Sequence, residues 1–429
     1  MSILRRFAAL LAAACCVLVV SVGSASAGPV ADDGSSAGSG GGRSIFATLP
    51  FALGEVDLST LGVSASELAT VGLVGATASS AGDGPNMFIV DDDHAQCPNA
   101  AYETIQEAVD ASGPGDQVKV CAGIYMEQVR IMGSAHDGLR LFSERPLQAT
   151  IKMPLGDLTP HSVVYVDGAN DVDIRHFTIS GPFVTPPQCF NNVPDRHTGV
   201  RLAHGSMTLY GNHITEIRHV AFTVRGCQDG FGVQIGRRAE GQFGTATIRN
   251  NLIDLYQKGG IIVDGPGTYA LVTQNDINGD PGLSGLIAQN GVQVSREARA
   301  DVDHNEIRDN AFCCNANDDA ASGVLLFEPN SDVSVDHNDL VHNGLGIALT
   351  QTLGVEVSHN VVRDGINSGI EAFASTAQNT IAYNKATRNV PDCADDSPPG
   401  PGTPPSTSNF WIKDFGLTQN KPGLCKNAT

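Results

Sequence analysis

The sequence predicts an all-β fold, a right-handed parallel β-helix built as a solenoid of about ten coils with a short N-terminal capping helix. Two observations support this prediction. Short alternating apolar segments recur behind a glycine, and an asparagine returns at an equivalent place in successive units, between 22 and 39 residues apart. The shortest spacing corresponds to a coil of constant perimeter, and the longer, variable spacings correspond to coils with insertions in their turns.

The chain begins with features of an exported protein. Arg5 and Arg6 precede an apolar run from Phe7 to Val22, and the small residues Ala25-Ser26-Ala27 follow, which predicts a signal peptide over residues 1–27. A lipoprotein anchored at Cys15 is the alternative. We therefore expect a secreted, extracellular protein with no membrane span, since no later segment is apolar enough to cross a bilayer.

Composition divides the rest of the chain into three parts. Residues 28–85 are rich in Gly, Ser and Ala and predict a flexible or weakly ordered linker. Residues 86–390 carry the repeats, and residues 391–429 form a C-terminal capping segment tied by a disulfide. Near the start of the repeats, Ile105, Ala108 and Val109 fall at helical spacing, which predicts a short amphipathic helix over the open end of the core.

The recurrent asparagines are expected to form one straight column inside the solenoid. Asparagine tolerates the left-handed backbone conformation of a tight corner. Stacked at the spacing of neighbouring strands, the side-chain amides can hydrogen-bond along the column. The members of the predicted column are Asn212, Asn251, Asn275, Asn305, Asn338, Asn360 and Asn384.

Each coil is expected to present two columns of side chains on the outside of its first strand, which follows the recurrent glycine. We call this surface the first-strand face. One column is Arg201, Gln234, Ile262, Gln293, Leu325, Ala348 and Glu371. The next is Ala203, Gly236, Asp264, Ser295, Phe327, Thr350 and Phe373, with His204, Arg237, Arg238, Arg296 and Glu297 at the adjoining turn.

Eight cysteines remain after the predicted signal peptide, and an even number in an exported chain predicts disulfides. Cys97 with Cys121 would close the start of the solenoid and Cys393 with Cys425 its end, while Cys189 with Cys227 would hold an insertion. Cys313 and Cys314 are adjacent, so they form either a vicinal bridge or two separate links.

The repeat pattern resembles the pectate-lyase-like superfamily of right-handed parallel β-helices over about residues 87–390. The segment from Tyr102 to Val129, with Gly123-Ile-Tyr125-Met-Glu127, is similar to the opening of many secreted β-helix proteins. The closing segment from Asp392 to Cys425 is similar to that of bacterial secreted members of unassigned activity. The catalytic motifs of pectinesterases, polygalacturonases and alginate epimerases are missing. Asp303-His304 and Asp336-His337 resemble only the last two residues of a pectate lyase motif. The resemblance in fold therefore does not establish a function.

The function predicted from this resemblance is action on, or binding of, an extracellular polysaccharide. The formal net charge of −20 disfavours nucleic acid as a partner, and it disfavours acidic glycans unless a local basic patch overrides it. The enzyme version is a lyase for uronate polymers, and the alternative is a non-catalytic glycan-binding or structural surface protein. We expect a monomer.

A lyase needs a base and a group that neutralises the uronate carboxylate, either arginine or Ca²⁺ held by acids. The candidate catalytic residues are Arg237, Arg296, Asp264 and Lys258. The candidate substrate-binding residues are Arg201, Gln234, Gln293, Arg238, Glu297, Phe327 and Phe373. No cofactor is required by this scheme, and Ca²⁺ is the one that acidic residues could add. For a hydrolase, Asp264, Asp280 and Glu297 would be the nearest carboxylates.

One further column consists of His304, His337 and His359, with His176 at its upper end. Stacked imidazoles could hold a metal, but ring stacking beside the asparagine column is the favoured interpretation. Asp303 and Asp336 alternate with apolar neighbours and are expected to be ordinary solvated residues. The sequence does not identify a metal site.

Overall fold

A computed structural model describes residues 84–154, 156, 159–184, 196–312, 321–402 and 406–426. The strands of this part are numbered β1 to β32 in chain order, and each named strand pair is parallel, as in the ladders β9–β11, β15–β18 and β13–β16. The predicted signal peptide and nearly all of the linker lie outside the described residues. No helix in the described ranges has the length and apolar character needed to cross a membrane.

The first strands of the coils stack in one continuous ladder that carries the first-strand face. β7 and β9 are long and continue into the second series. The ladder contains β4 (Val129–Met132), β7 (Ser162–Arg175), β9 (Thr198–Tyr210), β11 (Phe231–Ile235), β14 (Gly259–Asp264), β17 (Asn290–Ser295), β20 (Ser322–Phe327), β23 (Leu345–Thr350), β26 (Ile370–Ala372) and β29 (Cys393–Asp395).

The second strands form a parallel series that begins at the first described strand. It contains β1 (Met87–Val90), β2 (Gln117–Val120), β5 (Arg140–Ser143), the later halves of β7 and β9, β12 (Phe243–Arg249), β15 (Tyr269–Thr273), β18 (Arg299–Asp303), β21 (Val333–Asp336), β24 (Glu356–Ser358), β27 (Thr380–Ala382) and β30 (Phe410–Ile412).

The third strands are short and form a separate twelve-stranded sheet. They are β3 (Gly123–Tyr125), β6 (Ala149–Lys152), β8 (Thr178–Ser180), β10 (His213–Thr215), β13 (Leu252–Asp254), β16 (Asp276–Asn278), β19 (Glu306–Arg308), β22 (Asp339–Val341), β25 (Val361–Arg363), β28 (Lys385–Thr387), β31 (Asp414–Phe415) and β32 (Cys425–Lys426). The predicted all-β parallel solenoid is confirmed. The number of coils stays a prediction.

The core lies between the three series and is filled by residues that recur at one register. Val233, Ile261, Val292 and Val324 are paired in successive first strands and are fully buried. The glycine before each of them has a steric cause. A Cβ atom on Gly260 would lie 2.6 Å from the carbonyl oxygen of Gly291 in the next coil, so a side chain there would push the coils apart.

The asparagine column is confirmed as a continuous buried ladder. Side-chain amides donate to the side-chain oxygen of the next member at 2.9 to 3.1 Å throughout, from Asn212 to Asn384. The predicted reason was wrong in one respect. The left-handed conformation belongs to the residue before the asparagine, such as Asn250, His304 or Tyr383 with φ of 55°, 54° and 58°.

The helix α1 (Ile105–Ala111) forms where the sequence predicts it, with Ile105, Ala108 and Val109 buried. The Glu127 carboxylate accepts hydrogen bonds from the backbone N–H groups of Ile105 and Gln106, each at 2.8 Å. Such bonds satisfy donors that a helix N-terminus leaves open. Glu127 of the opening motif is therefore structural. That α1 caps the end of the core stays a prediction.

Two predicted disulfides are confirmed, Cys97–Cys121 and Cys393–Cys425. Cys227 is also disulfide-bonded, while its predicted partner Cys189 lies outside the described residues. Cys313 and Cys314 lie outside them as well.

Candidate functional site

The register of the first-strand face agrees with the columns derived from the sequence. Gln234 pairs with Arg201 on one side and with Ile262 on the other, and Ile262 pairs with Gln293. The same column continues through Leu325, Ala348 and Glu371. In the second column, Asp264, Ser295, Phe327 and Thr350 are successive partners.

The polar side chains of these columns are much less exposed than surface positions would be. Arg201 is 1% exposed, Gln234 0% and Asp264 2%. The turn after β11 covers part of the face, because Arg201 donates to the Gln242 side-chain oxygen at 2.7 Å and pairs with Glu240. The sequence pattern gives the direction of a side chain but not the turn that covers it.

Two of the four candidate catalytic residues, Arg296 and Asp264, form an ion pair. The Arg296 guanidinium donates to Asp264 Oδ1 at 2.9 Å, and the Ser295 hydroxyl donates to the same oxygen at 3.0 Å. Arg237 forms an ion pair with Glu240. Arg237, Arg296 and Asp264 all act electrostatically on a further arginine, Arg196.

Arg196 is a residue that sequence reasoning missed. It lies two residues before β9, and its guanidinium stacks 4.8 Å from the centre of the Phe231 ring. Burial, followed by the charge of Arg237, lowers the pKa of Arg196 to about 10, while Asp264 acts in the opposite direction. Its Nη1 atom is buried and makes no hydrogen bond within the described ranges.

Lys258, the fourth candidate, lies directly before β14. The residue is partly exposed, and its ammonium group donates to the Ala288 carbonyl oxygen. Burial and the nearby Arg196 lower the pKa of Lys258 to about 8. We call Arg196, Arg237, Lys258 and Arg296 the cation cluster. They carry four positive charges against the carboxylates of Asp264 and Glu240.

A cleft of about 460 Å³ adjoins the cation cluster on the same face. Glu240 joins the two, since it pairs with Arg237 of the cluster and with Arg201 of the cleft. The remaining wall includes the aromatic ring of Tyr165 and the carboxylate of Asp167. The cleft lies over the coils of β4, β7 and β9, on the N-terminal side of the predicted site.

The other predicted binding residues are placed less uniformly. Arg238 is about half exposed and lies 3.8 Å from Glu297. Phe327 packs under the Arg296 guanidinium at 5.7 Å, so this ring already has a cationic partner. Gln293 and Phe373 are partly exposed.

The three carboxylates considered for a hydrolase do not form a pair in the structure. Asp280 is bound to Arg218 at 2.7 Å, Asp264 to Arg296, and Glu297 lies beside Arg238. Each has its own cation. A hydrolase needs two carboxylates that face one bond, and this arrangement does not favour it.

The exposed histidine column is confirmed as a ring stack. His304, His337 and His359 stack with centroid distances of 5.2 and 4.8 Å, and Tyr383 continues the stack at 5.2 Å. His176 does not share this geometry, because its ring is tilted by 57° against Tyr210.

Asp303 and Asp336 are bonded to this stack and are not simply solvated. Asp303 accepts from His304 at 2.9 Å, and Asp336 accepts from both His337 and His359. Burial opposes ionisation of Asp336, but hydrogen bonds from His337, Ser358 and His359 hold the pKa of this carboxyl below its usual range.

A second histidine group is buried beside the cation cluster and was not singled out from the sequence. His197 Nδ1 lies 2.5 Å from Asp229 Oδ2, and His219 Nε2 lies 3.1 Å from the same oxygen. Burial would raise the pKa of Asp229, but the bonds to His197 and His219 hold it well below its usual range. His197 and His219 follow no repeat spacing, which is why the pattern did not reveal them.

Residues 231–397 match a family model described as a right-handed β-helix region. A solved structure of XylC in complex with xylose is similar, with a TM-score of 0.52 and 11% identity over 73% of this chain and 70% of that one. An alginate lyase from a Paenibacillus species is also similar, with a TM-score of 0.49 and 14% identity over 74% of this chain and 96% of that one. A lacto-N-biosidase from Eubacterium ramulus has a TM-score of 0.49 and 12% identity over 78% of this chain and 68% of that one. No curated protein matches the sequence. These likenesses concern the fold.

Proposed function

Since this chain is a right-handed parallel β-helix protein, we propose that its first-strand face binds an extracellular polysaccharide containing uronate and cleaves it by β-elimination. The observation that carries the proposal is the cation cluster, in which Arg196 keeps a buried guanidinium nitrogen that has no hydrogen-bond partner in the described part of the chain. A buried donor without an acceptor is costly. A uronate carboxylate would supply an acceptor through a charge-assisted bond.

The local charge of the site supports an acidic ligand although the whole chain is acidic. The net charge of −20 acts at long range and is screened within about 10 Å in salt solution. Contacts inside the site are screened much less. We therefore expect an acidic glycan to associate slowly at low salt, because the negative chain repels it at long range. Once the glycan lies on the first-strand face, we expect the cation cluster to bind its carboxylate specifically.

The elimination step assigns a separate role to each group. As the neutral amine, Lys258 removes the proton on the carbon next to the uronate carboxylate and becomes an ammonium, the electron pair forms the new double bond, and the glycosidic C–O bond on the adjacent carbon breaks. The leaving oxygen takes a proton from water. The arginines of the cluster stabilise the negative charge that develops on the carboxylate, a role that Ca²⁺ would otherwise take. A base with a pKa of about 8 is suited to this step near neutral pH.

A non-catalytic glycan-binding protein is the second candidate function. The observation that favours it is the bond from the Lys258 ammonium to the Ala288 carbonyl, which must break before Lys258 can act as a base. The export, the extracellular location and the monomeric state predicted from the sequence belong to both versions. The two disulfides favour an oxidising compartment.

Purified protein incubated with a panel of uronate and neutral polysaccharides separates these functions. We expect binding of a uronate polymer and new unsaturated ends, at a rate that rises with pH through about 8. Arg196→Gln should weaken binding at least tenfold, and Lys258→Met should abolish new ends while binding persists. Arg299→Ala is the control, because this half-exposed arginine pairs with Asp332 on the surface.

Binding without new ends would assign the chain to the non-catalytic class. Equal binding of neutral and acidic polymers, or full binding by Arg196→Gln, would overturn the uronate site.

A further inference from the structure

The buried histidines beside the cation cluster form a group with its own chemistry. His197 lies directly before β9, and His219 and Asp229 lie in the segment between β10 and β11. We propose that His197, His219 and Asp229 bind a divalent transition metal ion, with zinc preferred. This site is separate from the proposed uronate site and does not depend on it.

The three side chains converge on one point. One ligand atom from each, a ring nitrogen from both histidines and a carboxylate oxygen from Asp229, lie within 4.8 Å of one another. All three side chains are at least nine-tenths buried, with 8%, 4% and 10% of their surface exposed. Water therefore competes little for these donors, and a small shift of the rings would open the space for an ion with bonds of about 2.0 to 2.1 Å.

The ligands are held in place by bonds that a metal would leave intact. Asp229 Oδ1 accepts from the backbone N–H groups of His197 at 2.8 Å and Gly230 at 2.9 Å. The backbone N–H of His219 donates to the Gln257 side-chain oxygen at 3.1 Å. Only Asp229 Oδ2 and the two facing ring nitrogens would change partner. Such supporting bonds orient metal ligands in known sites.

The tautomer of His219 is open for metal binding. Its Nε2 atom faces Asp229, while its Nδ1 atom is buried and has no hydrogen-bond partner among the residues that the structure describes. No second bond therefore requires the proton to stay on Nε2. When a metal binds, the Nε2 lone pair becomes the ligand and the proton is carried on Nδ1, with no change in the charge of the ring.

The donor set decides the class of ion. Two imidazole nitrogens and one carboxylate suit zinc and its neighbours, whereas Ca²⁺ and Mg²⁺ prefer oxygen donors. Three protein ligands also leave a fourth position for water or another ligand. Since Arg196 precedes His197 in the chain, a bound ion would add positive charge beside the cation cluster.

Metal analysis of the purified full chain tests this site directly. After dialysis against zinc and removal of excess ion, we expect about one equivalent of zinc per chain and a rise in the unfolding temperature that a chelator reverses. His219→Ala should remove this equivalent. The chain contains a matched control, because Asp336, His337 and His359 offer the same donors on the surface, with 32%, 50% and 47% of their side chains exposed.

The double variant His337→Ala/His359→Ala should keep the zinc equivalent. Zinc absent from the wild-type protein at saturating concentration would overturn the proposal, as would a zinc equivalent lost only in the surface variant. Zinc binding by the wild-type protein is measured without any variant. The test of whether the chain binds zinc therefore stands even if the His219→Ala protein does not fold.

Discussion

At the scale of single residues, the ladder asparagines connect the sequence pattern to stability. Asn305 accepts from the backbone and the side chain of Asn275, and it donates to Val272, Asp303 and Asn338. All of these hydrogen bonds join Asn305 to other groups of the protein at the corner of the coil. The recurrence of asparagine could be predicted from spacing. The left-handed residue before it could not be predicted, because that position holds Gly, Asn, Gln, His or Tyr, and no residue type marks it.

Replacing Asn305 with alanine should destabilise the protein by about 3 kcal/mol, because several buried backbone and amide groups lose their partners at once. Chemical denaturation of the variant gives the free energy of unfolding. Asn170→Ala is the control, since this exposed residue bonds only weakly through its side chain, at 3.4 Å. Equal stability of the two variants would refute the ladder as a source of stability.

At the scale of elements, the ladder ends in β31 at a different residue. Asn384 donates from its backbone and its side chain to Asp414 Oδ1, both at 2.9 Å. Burial raises the pKa of Asp414 to about 7, although its hydrogen bonds act in the opposite direction. A carboxyl group therefore closes the column where an amide would be expected.

This carboxyl makes stability depend on pH in a defined direction. The folded protein holds the Asp414 proton up to about pH 7, whereas the unfolded chain releases it near pH 4. Its contribution is therefore fully present below pH 4 and lost as the pH rises through 7, a change of about 4 kcal/mol, since one pKa unit corresponds to about 1.4 kcal/mol.

Unfolding of wild type and Asp414→Asn at several pH values isolates this contribution. The difference between the two should change between pH 4 and 7 and stay constant above pH 8. Asp332→Asn serves as the control because this side chain is 75% exposed. A difference that does not vary with pH would show that Asp414 is ionised in the folded protein.

At the scale of the whole molecule, the repeat determines the fold and the insertions determine the site. Arg237, Arg296 and Asp264 could be placed from the sequence because they follow repeat glycines at regular positions. Arg196, His219 and Asp229 could not, because they lie in segments between strands where no period applies. The burial of Arg201 was also beyond the sequence, since it depends on Glu240 and Gln242 in a turn that folds back over the face.

The distribution of charge over the whole molecule is uneven, because an acidic chain contains a local cluster of cations. The net charge of −20 describes the average surface. Locally, Arg237 and Arg296 act electrostatically on Arg196, which in turn acts on Lys258. The composition therefore predicts that the average surface repels anions, but it does not predict a local cluster of cations.

We propose that Arg196 and its neighbours bind the carboxylate of a uronate sugar. A crystal structure of the protein with a bound oligouronide tests it most directly. We predict a sugar carboxylate oxygen about 2.7 to 2.9 Å from an Arg196 nitrogen, with Arg237 or Arg296 contacting the same sugar. An ordered oligouronide bound away from the cation cluster, or a cluster without sugar at saturating ligand, would contradict the account.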